Sequence, residues 1–574
     1  MANLIVICAR EATDHRLAAE TVRRCAAMLV PDNIDPHAPL IYKRDRVVVA
    51  VANPVAGIGV HDGCVCLGRM FGPLGAWWET QSESPDGSYV IVRHDERSLE
   101  VLTDILSTRS LWFVHTDHLF LASTSQRALV TLLGSFELNQ EAVTWMLTCG
   151  HLGAGSWDAR LRRLPGDSRL VLDRERWDLR VHQRPAIREP PRLSDEEHID
   201  RLRDAILDTC AELDLPMDQW LLPLSGGMDS RILLLGLLHA GKNPRCVTWG
   251  LASSLQDVEN DAYIARKLAC ELGVSWQYCP TDDSGESLDA TMRRFVLLSE
   301  GQVTDFGGYV DGMAMWRGFF EDRVAGVIRG DGPGMGYHSR FASETRVRRR
   351  LNINFVSDYP ADHPVQRLDL APQTWDDSLR RRPGESLSSW KDRLVEEMEF
   401  PATLAPLSSI KCHYVEVVNP LLSTRVVQVV RQLPDHLRID DRKPLATVVR
   451  SLGPDIPFAK KGALGPASAP LRTDSFIASM VGVLSSVGAE RVFRRPALDQ
   501  MVEELRREKA APPPGHDLGS AVRALVPRRL LDRVRPVWPL RLSARELAFR
   551  AFLAVQMADI LARDAASLRT RSVV

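Results

Sequence analysis

The 574-residue sequence has no stretch that approaches the roughly 18 consecutive apolar residues of a membrane-spanning helix. Its start, MANLIVICAREATDHR, has no basic region before the short apolar run, unlike a secretory signal. The net charge is only -2, so the chain has no overall positive field for nucleic acid or acidic membranes. These absences predict a cytoplasmic protein that has neither nucleic acid nor membrane as a partner.

Cysteines at metal-site spacing are also absent. The ten cysteines are scattered, and the one close pair, Cys64 and Cys66, has no matching pair or histidines at the required distance along the chain. We therefore expect reduced thiols that serve as structural residues.

The length favours two or three domains, and the pattern of apolar and turn residues changes near residue 190. Before it, short apolar or alternating runs such as RVVVAVA and SYVIVRH are separated by turn residues. Helical patches interrupt these runs at Ala12 to Leu29 and at Asn139 to Cys149. This pattern predicts layered β-sheets flanked by helices.

A different pattern follows the break EPPRLS. Ser194 and Glu197 form a capping-box pattern that predicts the start of a helix, and strands then alternate with helices. That alternation predicts a parallel α/β sheet. Beyond residue 340 the chain reads as mostly helical and ends in a helix from Ala544 to about Ala565.

The segment WLLPLSGGMDSR places a buried strand directly before two glycines, an aspartate and two serines, and an apolar helix follows. Backbone amides of Gly226 and Gly227 can approach a phosphate, Ser225 and Ser230 add hydroxyl donors, and the helix presents its positive end. Asp229 beside phosphate implies Mg²⁺ between them. The alternative is a tight turn whose serines only cap the helix, but the full six-residue pattern favours the SGGxDS loop of the ATP pyrophosphatases.

A second nucleotide motif, GxxxxGK, is nearly satisfied by Gly236, Gly241 and Lys242. Asn243 replaces the required Ser or Thr, and the segment falls at a predicted helix end. We interpret it as a glycine helix stop.

Ordered landmarks along most of the chain resemble the asparagine synthetase superfamily. The first part carries DGSYVIVRHDERSLEVLTDILSTRSLWF, LFLASTSQRAL and the turn Leu164-Pro165-Gly166. The second part carries DVENDAYIARKLACELG, VIRGDGPGMGYHS and a long segment from VEVVNPLLS to FAKKG. The resemblance implies a glutaminase-like, Ntn-hydrolase-like αββα sandwich over residues 1–190. It implies an adenylating ATP-pyrophosphatase domain, similar to adenine-nucleotide α-hydrolases, over residues 191–574.

The glutaminase nucleophile of that family is missing from this sequence. Such enzymes expose a cysteine after the initiating methionine, whereas position 2 is Ala2. Cys8 lies inside the run LIVIC and is expected in the core. The resemblance then implies an amine that comes from the substrate itself, as in β-lactam and carbapenam synthetases or in lasso peptide cyclases.

The motif Arg329-Gly330-Asp331 and the aromatic approach DFGGYVDGMAMWRGFF, a candidate lining of a peptide-sized pocket, favour the lasso peptide cyclases. That branch implies a leader-cleaved core peptide as substrate, with a leader peptidase and a leader-recognition protein as further partners. A β-lactam synthetase-like enzyme, an ammonia-dependent asparagine synthetase and a non-enzymatic nucleotide or peptide scaffold remain as alternatives.

The resemblance also assigns roles to single residues. ATP would be bound by Leu224, Ser225, Gly226, Gly227, Asp229, Ser230, Thr248 and Gly330. Mg²⁺ would be held by Asp229 and Asp331. The catalytic candidates are Lys443 at the phosphates, Asp331 as the base for the incoming amine, and, more weakly, Glu416 for orienting Lys443 or the substrate.

Some of these positions have plainer interpretations. Glu416 would otherwise be a carboxylate on a helix surface, Asp331 an aspartate turn between glycines, and Lys443 a solvated surface lysine. The family's usual acidic pair is replaced by Gly334 and Met335. A further acidic group, Asp257, Glu259 and Asp261, either approaches the nucleotide or only begins a helix.

Overall fold

The fold was analysed in a computed structural model that describes residues 3–54, 58–282, 285–332, 341, 343–439, 442–465, 469–510 and 540–568. Ala2, Gly334 and Met335 lie outside these residues. The chain has a mixed α/β fold with three sheets, which confirms the coarse fold class expected from the sequence.

Two six-stranded antiparallel sheets occupy the first part of the chain. Their orders are β10-β8-β9-β1-β3-β2 and β12-β11-β7-β6-β5-β4. The strands are β1 (Asn3–Ala9), β2 (Leu40–Arg44), β3 (Val47–Ala52), β4 (Gly59–His61), β5 (Cys64–Phe71), β6 (Asp86–His94), β7 (Ser98–Thr103), β8 (Trp112–His115), β9 (Leu119–Ser123), β10 (Arg162–Arg163), β11 (Ser168–Asp173) and β12 (Asp178–Gln183).

The central strands of the first sheet are buried on both faces. Every residue of β1 and β3 is buried, including Cys8 as predicted. One face packs on the second sheet, and the other is covered by α1 (Ala19–Ala27) and α2 (Gln126–Leu133). This explains why these strands appear in the sequence as continuous apolar runs without alternation. The helix predicted over Ala12 to Leu29 is shorter than expected, because a 3-10 turn over His15–Leu17 precedes α1.

The fold changes between β12 and α4 (Asp195–Glu212), the segment that contains the predicted boundary near residue 190. Between β9 and β12 lies α3 (Gln140–Cys149), one residue shorter than predicted. The capping box of Ser194 and Glu197 is confirmed at the start of α4: the hydroxyl of Ser194 accepts from Glu197 N, and the carboxylate of Glu197 accepts from Ser194 N.

The third sheet is parallel, as the alternation of strands and helices predicted, with the order β15-β14-β13-β16-β17. Its strands are β13 (Trp220–Pro223), β14 (Arg245–Gly250), β15 (Trp276–Pro280), β16 (Gly326–Ile328) and β17 (Glu416–Val418). The helices up to β16 are α5 (Met228–His239), α6 (Asp261–Leu272), α7 (Leu288–Ser299) and α8 (Ala314–Glu321).

The remainder is mostly helical, as predicted. It contains α9 (Glu344–Arg350), α10 (Pro364–Arg367), α11 (Leu387–Leu394), a π-helix (Val395–Leu404), α12 (Ala405–Cys412), α13 (Thr424–Arg431), α14 (Asp435–Ile439), α15 (Lys443–Leu452), α16 (Asp474–Leu484), α17 (Arg495–Ala510) and α18 (Ala544–Ser567). Within the described ranges, no helix has the length and apolar character that crossing a membrane requires.

The C-terminal helix packs back on the first part of the chain. α18 contacts α2 and α3 as well as α16 and α17. Arg127 of α2 donates to the Asp564 carboxylate of α18 at 2.8 Å, and both side chains are about nine-tenths buried. One apolar cluster therefore continues from the first sheet to α18.

The GxxxxGK-like segment ends a helix, as predicted. α5 stops at His239, and Gly241 takes the left-handed conformation with φ +71°. The Lys242 ammonium donates to three carbonyls at the end of α4, those of Cys210, Ala211 and Leu213, at 2.6–2.8 Å. This lysine therefore stabilises a helix C-terminus. All ten cysteines lie in the described residues, and all are unpaired.

Candidate nucleotide-binding site

The glycine-rich loop lies where β13 ends and α5 begins. Gly227 is the N-cap of α5. Because glycine has no side chain, the first amides of the helix have no side-chain cap. Within the loop, the Ser230 hydroxyl accepts from Ser225 N at 3.0 Å and contacts the Ser225 hydroxyl at 2.9 Å. The Ser225 hydroxyl also accepts from Gly227 N at 3.2 Å. The loop is therefore held in shape by its own serines, with a helix N-terminus facing outward from the sheet edge.

Two glycines permit close approach of the segments around this loop. A Cβ at Gly226 would lie 2.4 Å from the Cβ of Ala459. A Cβ at Gly330, which follows β16, would lie 2.7 Å from the backbone nitrogen of Ser230. Both distances are shorter than side chains tolerate. Gly330 is required because the chain after β16 packs against the backbone at the start of α5, and Gly226 because the side chains of Ala459 and Ile264 lie against it.

A cavity of about 290 Å³ opens beside the loop. Seven of the eight predicted nucleotide contacts line it, while Gly226 faces Ala459 and Ile264 instead. The lining residues are Pro223, Leu224, Ser225, Gly227, Asp229, Ser230, Val247, Thr248, Trp249, Asp261, Arg329, Gly330, Asp331, Gly462, Ala463 and Leu464. The sheet edge thus brings together segments that are more than 200 residues apart.

Both predicted metal ligands carry an arginine partner. The Asp229 carboxylate accepts two hydrogen bonds from the Arg442 guanidinium, one of them at 2.8 Å. The Asp331 carboxylate accepts two from Arg329, at 2.7 and 3.0 Å. Burial would raise the pKa of the Asp331 carboxyl, but the Arg329 guanidinium outweighs burial and holds that pKa below its usual range. Asp331 therefore stays ionised at neutral pH.

The donor atoms suit a magnesium ion that arrives with phosphates. Mg²⁺ is commonly held by one or two carboxylates together with phosphate oxygens and water. Asp229 and Asp331 are carboxylates on the wall of the same cavity. Groups of three or more metal-binding side chains do not occur in the part of the chain that the structure describes. The residues thus fit a nucleotide-borne Mg²⁺ and not an ion enclosed by protein ligands alone.

Of the three acidic residues after β14, Asp261 lies at the cavity, and Asp257 and Glu259 lie on the surface. Asp261, the first residue of α6, lines the cavity and accepts from Gly226 N at 3.1 Å. Burial raises the pKa of its carboxyl. Asp257 and Glu259 instead form exposed ion pairs with Lys461 and Lys460. Only Asp261 reaches the cavity.

Two of the predicted catalytic residues lie away from the cavity wall. Lys443 is the exposed first residue of α15, and it is absent from the described residues that line the cavity. Glu416 lies at the start of β17 with 0% of its surface exposed, so its interpretation as a helix-surface carboxylate is wrong. Its carboxylate accepts a hydrogen bond from Arg109, which comes from the loop between β7 and β8.

Four aromatic residues of the segment DFGGYVDGMAMWRGFF are part of the core, and none of them lines the cavity beside the loop, contrary to the expectation of a pocket lining. Phe306, Tyr309, Trp316 and Phe319 are all buried in the main apolar cluster. Trp316 packs edge to face on Trp249, with 5.4 Å between ring centroids. Through Trp249, which lines the cavity, this segment supports the wall without contributing its own rings.

Two basic residues near the site, Arg442 and Lys411, were not predicted from the sequence. Arg442 adjoins Lys443 and could have been suspected as a second cation at the phosphates. Lys411 stands in the run SSIKCHYV, which carries no signal for a buried charge. It is 6% exposed, and its ammonium donates to the Leu407 carbonyl at 2.7 Å. Burial, with the nearby Arg329 charge, lowers the pKa of Lys411 to about 7, against the opposing effects of Asp331 and Asp305.

This lysine predicts a pH-dependent stability. Between pH of about 7 and about 10.5, the unfolded chain binds the Lys411 proton and the folded chain does not. The free energy of unfolding should therefore rise with pH, by up to about 1.4 kcal/mol per unit from this group. Lys411→Met should lack this contribution. Denaturant unfolding of both proteins at about pH 7 and about pH 9 measures the effect. An identical wild-type-to-variant difference at both pH values would contradict the assignment.

Comparisons with known proteins leave the family open. No protein-family model matches the chain. No curated protein matches it either. Among solved structures, the chain is similar to the glutamine phosphoribosylpyrophosphate amidotransferase from B. subtilis complexed with ADP and GMP, with a TM-score of 0.21 and 8% identity over 48% of this chain and 65% of that one.

A second solved structure, the allosteric regulatory enzyme of purine biosynthesis, has a TM-score of 0.22 and 9% identity over 49% of this chain and 81% of that one. The chain therefore spans just under two thirds of the first of these proteins. Neither TM-score is high enough to bear on fold or function. What the fold and the site define is a class: a mixed α/β protein with a glycine-rich loop between a parallel strand and the start of a helix, beside a cavity.

Proposed function

We propose that this chain is an ATP-dependent, AMP-forming amide ligase of the asparagine synthetase type. In this proposal, residues 1–190 are a glutaminase-like, Ntn-hydrolase-like domain without its nucleophile, and residues 191–574 are the adenylating domain. The observation that carries the proposal is the loop Ser225 to Ser230, which faces a cavity with Asp229, Asp261 and Asp331 on its wall. A loop of this kind at a helix N-terminus suits the phosphates of a nucleotide.

The first step would activate a carboxylate. A carboxylate oxygen attacks the α-phosphorus of ATP, the bond from that phosphorus to the bridging oxygen breaks, and pyrophosphate leaves with the electron pair. The acyl-adenylate remains. The uncapped first amides of α5 and the hydroxyls of Ser225 and Ser230 would hold the phosphates, because the amides of Gly226 and Gly227 already donate to protein oxygens. The arginines of the site would add cations, and Lys443, exposed off the cavity wall, would have to extend toward the phosphates to do so. Bound Mg²⁺, held by Asp229 and Asp331, would supply further charge neutralisation.

The second step would form the amide. The substrate amine loses a proton, its nitrogen attacks the acyl carbon, and AMP leaves with the bonding electrons of the acyl–oxygen bond. Asp331 is ionised beside Arg329, so its carboxylate can hold the incoming ammonium. The same arginine makes this carboxylate a weaker base, so the role of Asp331 in accepting the proton rests on the resemblance to the family. In this proposal the amine arrives as part of the substrate.

The substrate we propose is a small peptide that closes on itself. An Asp or Glu side chain would be adenylated and attacked by the N-terminal amine, which gives a macrolactam as in lasso peptide biosynthesis. The motif Arg329-Gly330-Asp331 at the cavity wall supports this choice over a β-lactam synthetase-like activity. A leader peptidase and a leader-recognition protein would then supply the cleaved core peptide.

Mass spectrometry of reactions with ATP, Mg²⁺ and candidate substrates tests the proposal. A peptide product lighter by one water, formed with equal amounts of AMP and pyrophosphate, is the expected result. Conversion of aspartate with ammonia would instead identify an asparagine synthetase, and cyclisation of a small amino acid a β-lactam synthetase-like enzyme. Absence of AMP with every substrate, despite ATP binding, would identify a scaffold. Lys443→Ala, at an exposed site, should keep the fold and lose turnover.

A further inference from the structure

Arg442 is fixed at the candidate site by its backbone and by its side chain. It precedes α15 in the left-handed conformation, with φ +61°. This conformation turns the chain so that the guanidinium reaches Asp229 while the next residue, Lys443, is exposed. The Arg442 side chain is only 9% exposed. A non-glycine residue rarely adopts this backbone conformation without a structural reason.

The backbone after β16 encloses this ion pair. A Cβ at Gly332 would lie 2.6 Å from Oδ1 of Asp229 and 2.7 Å from Nη2 of Arg442. Gly332 therefore allows the guanidinium and the carboxylate to lie directly against the chain next to Asp331. Asp229 lines the cavity, so the Arg442 guanidinium that is paired with it is separated from the cavity only by the Asp229 side chain.

The charges on the cavity wall show why a cation is needed here. Three carboxylates line the cavity, those of Asp229, Asp261 and Asp331, against one guanidinium, that of Arg329. Arg329 is already paired with Asp331. A triphosphate keeps a net negative charge even with Mg²⁺ bound, so a wall with this excess of carboxylates favours a further cation beside the phosphates. Arg442 supplies a cation directly beside Asp229, and a forked guanidinium can bind both carboxylate and phosphate.

We infer that Arg442 binds the terminal phosphates of ATP, which leave as pyrophosphate, and that Asp229 positions its guanidinium for that contact. The inference rests on the proposed function, because it takes ATP to be the ligand of this cavity. Asp229 keeps its place as a carboxylate beside the nucleotide-borne magnesium. It gains a second task, which is to hold a cation next to the loop.

Isothermal titration calorimetry of the full-length protein with ATP and Mg²⁺, and separately with inorganic pyrophosphate and Mg²⁺, tests the inference. Arg442→Gln should weaken binding of both ligands by about 10- to 100-fold, the usual effect of losing a hydrogen bond to a charged group. Arg442→Lys should keep part of the affinity. Arg450→Gln, an exposed arginine at the other end of α15, is the matched control and should bind like wild type.

A double-mutant cycle tests the role of Asp229. Once Asp229→Asn has removed the carboxylate that holds the guanidinium, Arg442→Gln should have little further effect on binding. An equal effect of Arg442→Gln in both backgrounds would remove Asp229 as the positioning residue. Binding by Arg442→Gln within about threefold of wild type would overturn the phosphate contact itself. If Arg442→Gln fails to fold, full wild-type affinity in Arg442→Lys and Asp229→Asn would likewise overturn it.

Different results would contradict the proposed function and the assignment of Arg442. A wild-type protein that binds neither ATP nor pyrophosphate contradicts the proposed function. A wild-type protein that binds both, with Arg442→Gln unaffected, contradicts only the assignment of Arg442. Melting temperatures of wild type and variants without ligand show whether the ion pair between Arg442 and Asp229 stabilises the free protein. They also distinguish a variant that has lost binding from one that no longer folds.

Discussion

Gly330→Ala is expected to abolish ATP-dependent turnover and to reduce ATP binding at least 100-fold, roughly the loss that accompanies a displaced phosphate loop. The added Cβ would lie 2.7 Å from the nitrogen of Ser230, 2.8 Å from its Cα and 2.9 Å from the carbonyl carbon of Asp229. These are backbone atoms, so no side-chain rotation can relieve the clash. The end of β16 would have to move away from the loop, which separates Asp331 from Asp229.

Gly482→Ala provides the control for this substitution. Gly482 lies inside α16, where an added Cβ has no neighbour within 4 Å. That variant should keep turnover and gain up to about 1 kcal/mol of stability from helix propensity. Circular dichroism and ATP titration of both variants complete the measurement. Wild-type turnover in Gly330→Ala would show that the two strand ends need not touch for activity.

Glu416→Ala is expected to destabilise the protein by about 3–5 kcal/mol, the usual consequence of leaving a buried charge without its partner. Arg109 is 7% exposed and loses the carboxylate to which it donates. The residues come from different parts of the chain, the loop before β8 and the start of β17. Denaturant unfolding of wild type and variant gives the difference in the free energy of unfolding.

The double variant Arg109→Met, Glu416→Leu separates stability from catalysis. Replacing both charges by apolar groups should restore most of the lost stability, because no buried charge then remains unpaired. If Glu416 contributes only to structure, the double variant should also turn over ATP. A double variant that folds like wild type but does not turn over ATP would indicate that Glu416 has a role in catalysis.

Local features were predictable from the sequence wherever short-range chemistry decides the structure. Ser194 and Glu197 are three residues apart, and a capping box needs nothing more. The loop from Ser225 to Ser230 follows from its own glycines and from the apolar strand before it. The parallel sheet followed from the alternation of strands and helices, since parallel neighbours require crossover connections.

Pairings across long stretches of chain were not predictable. Arg109 meets Glu416 across 307 residues, and Asp229 meets Arg442 across 213. No local pattern relates the members of such a pair, because a charge has the same sequence signature on the surface and in the core. The buried ammonium of Lys411 was missed for the same reason. The predicted roles of Lys443 and Asp331 remain predictions, since placement alone does not measure chemistry.

The helix that ends the described chain restricts how this protein can change. α18 packs against α2 and α3, and its Asp564 holds Arg127, so the last helix lies on α2, which covers one face of the first sheet. One apolar cluster is therefore shared by the two ends of the chain. Separating residues 1–190 from the rest would expose apolar surface on both pieces, so neither piece is expected to keep its full stability alone.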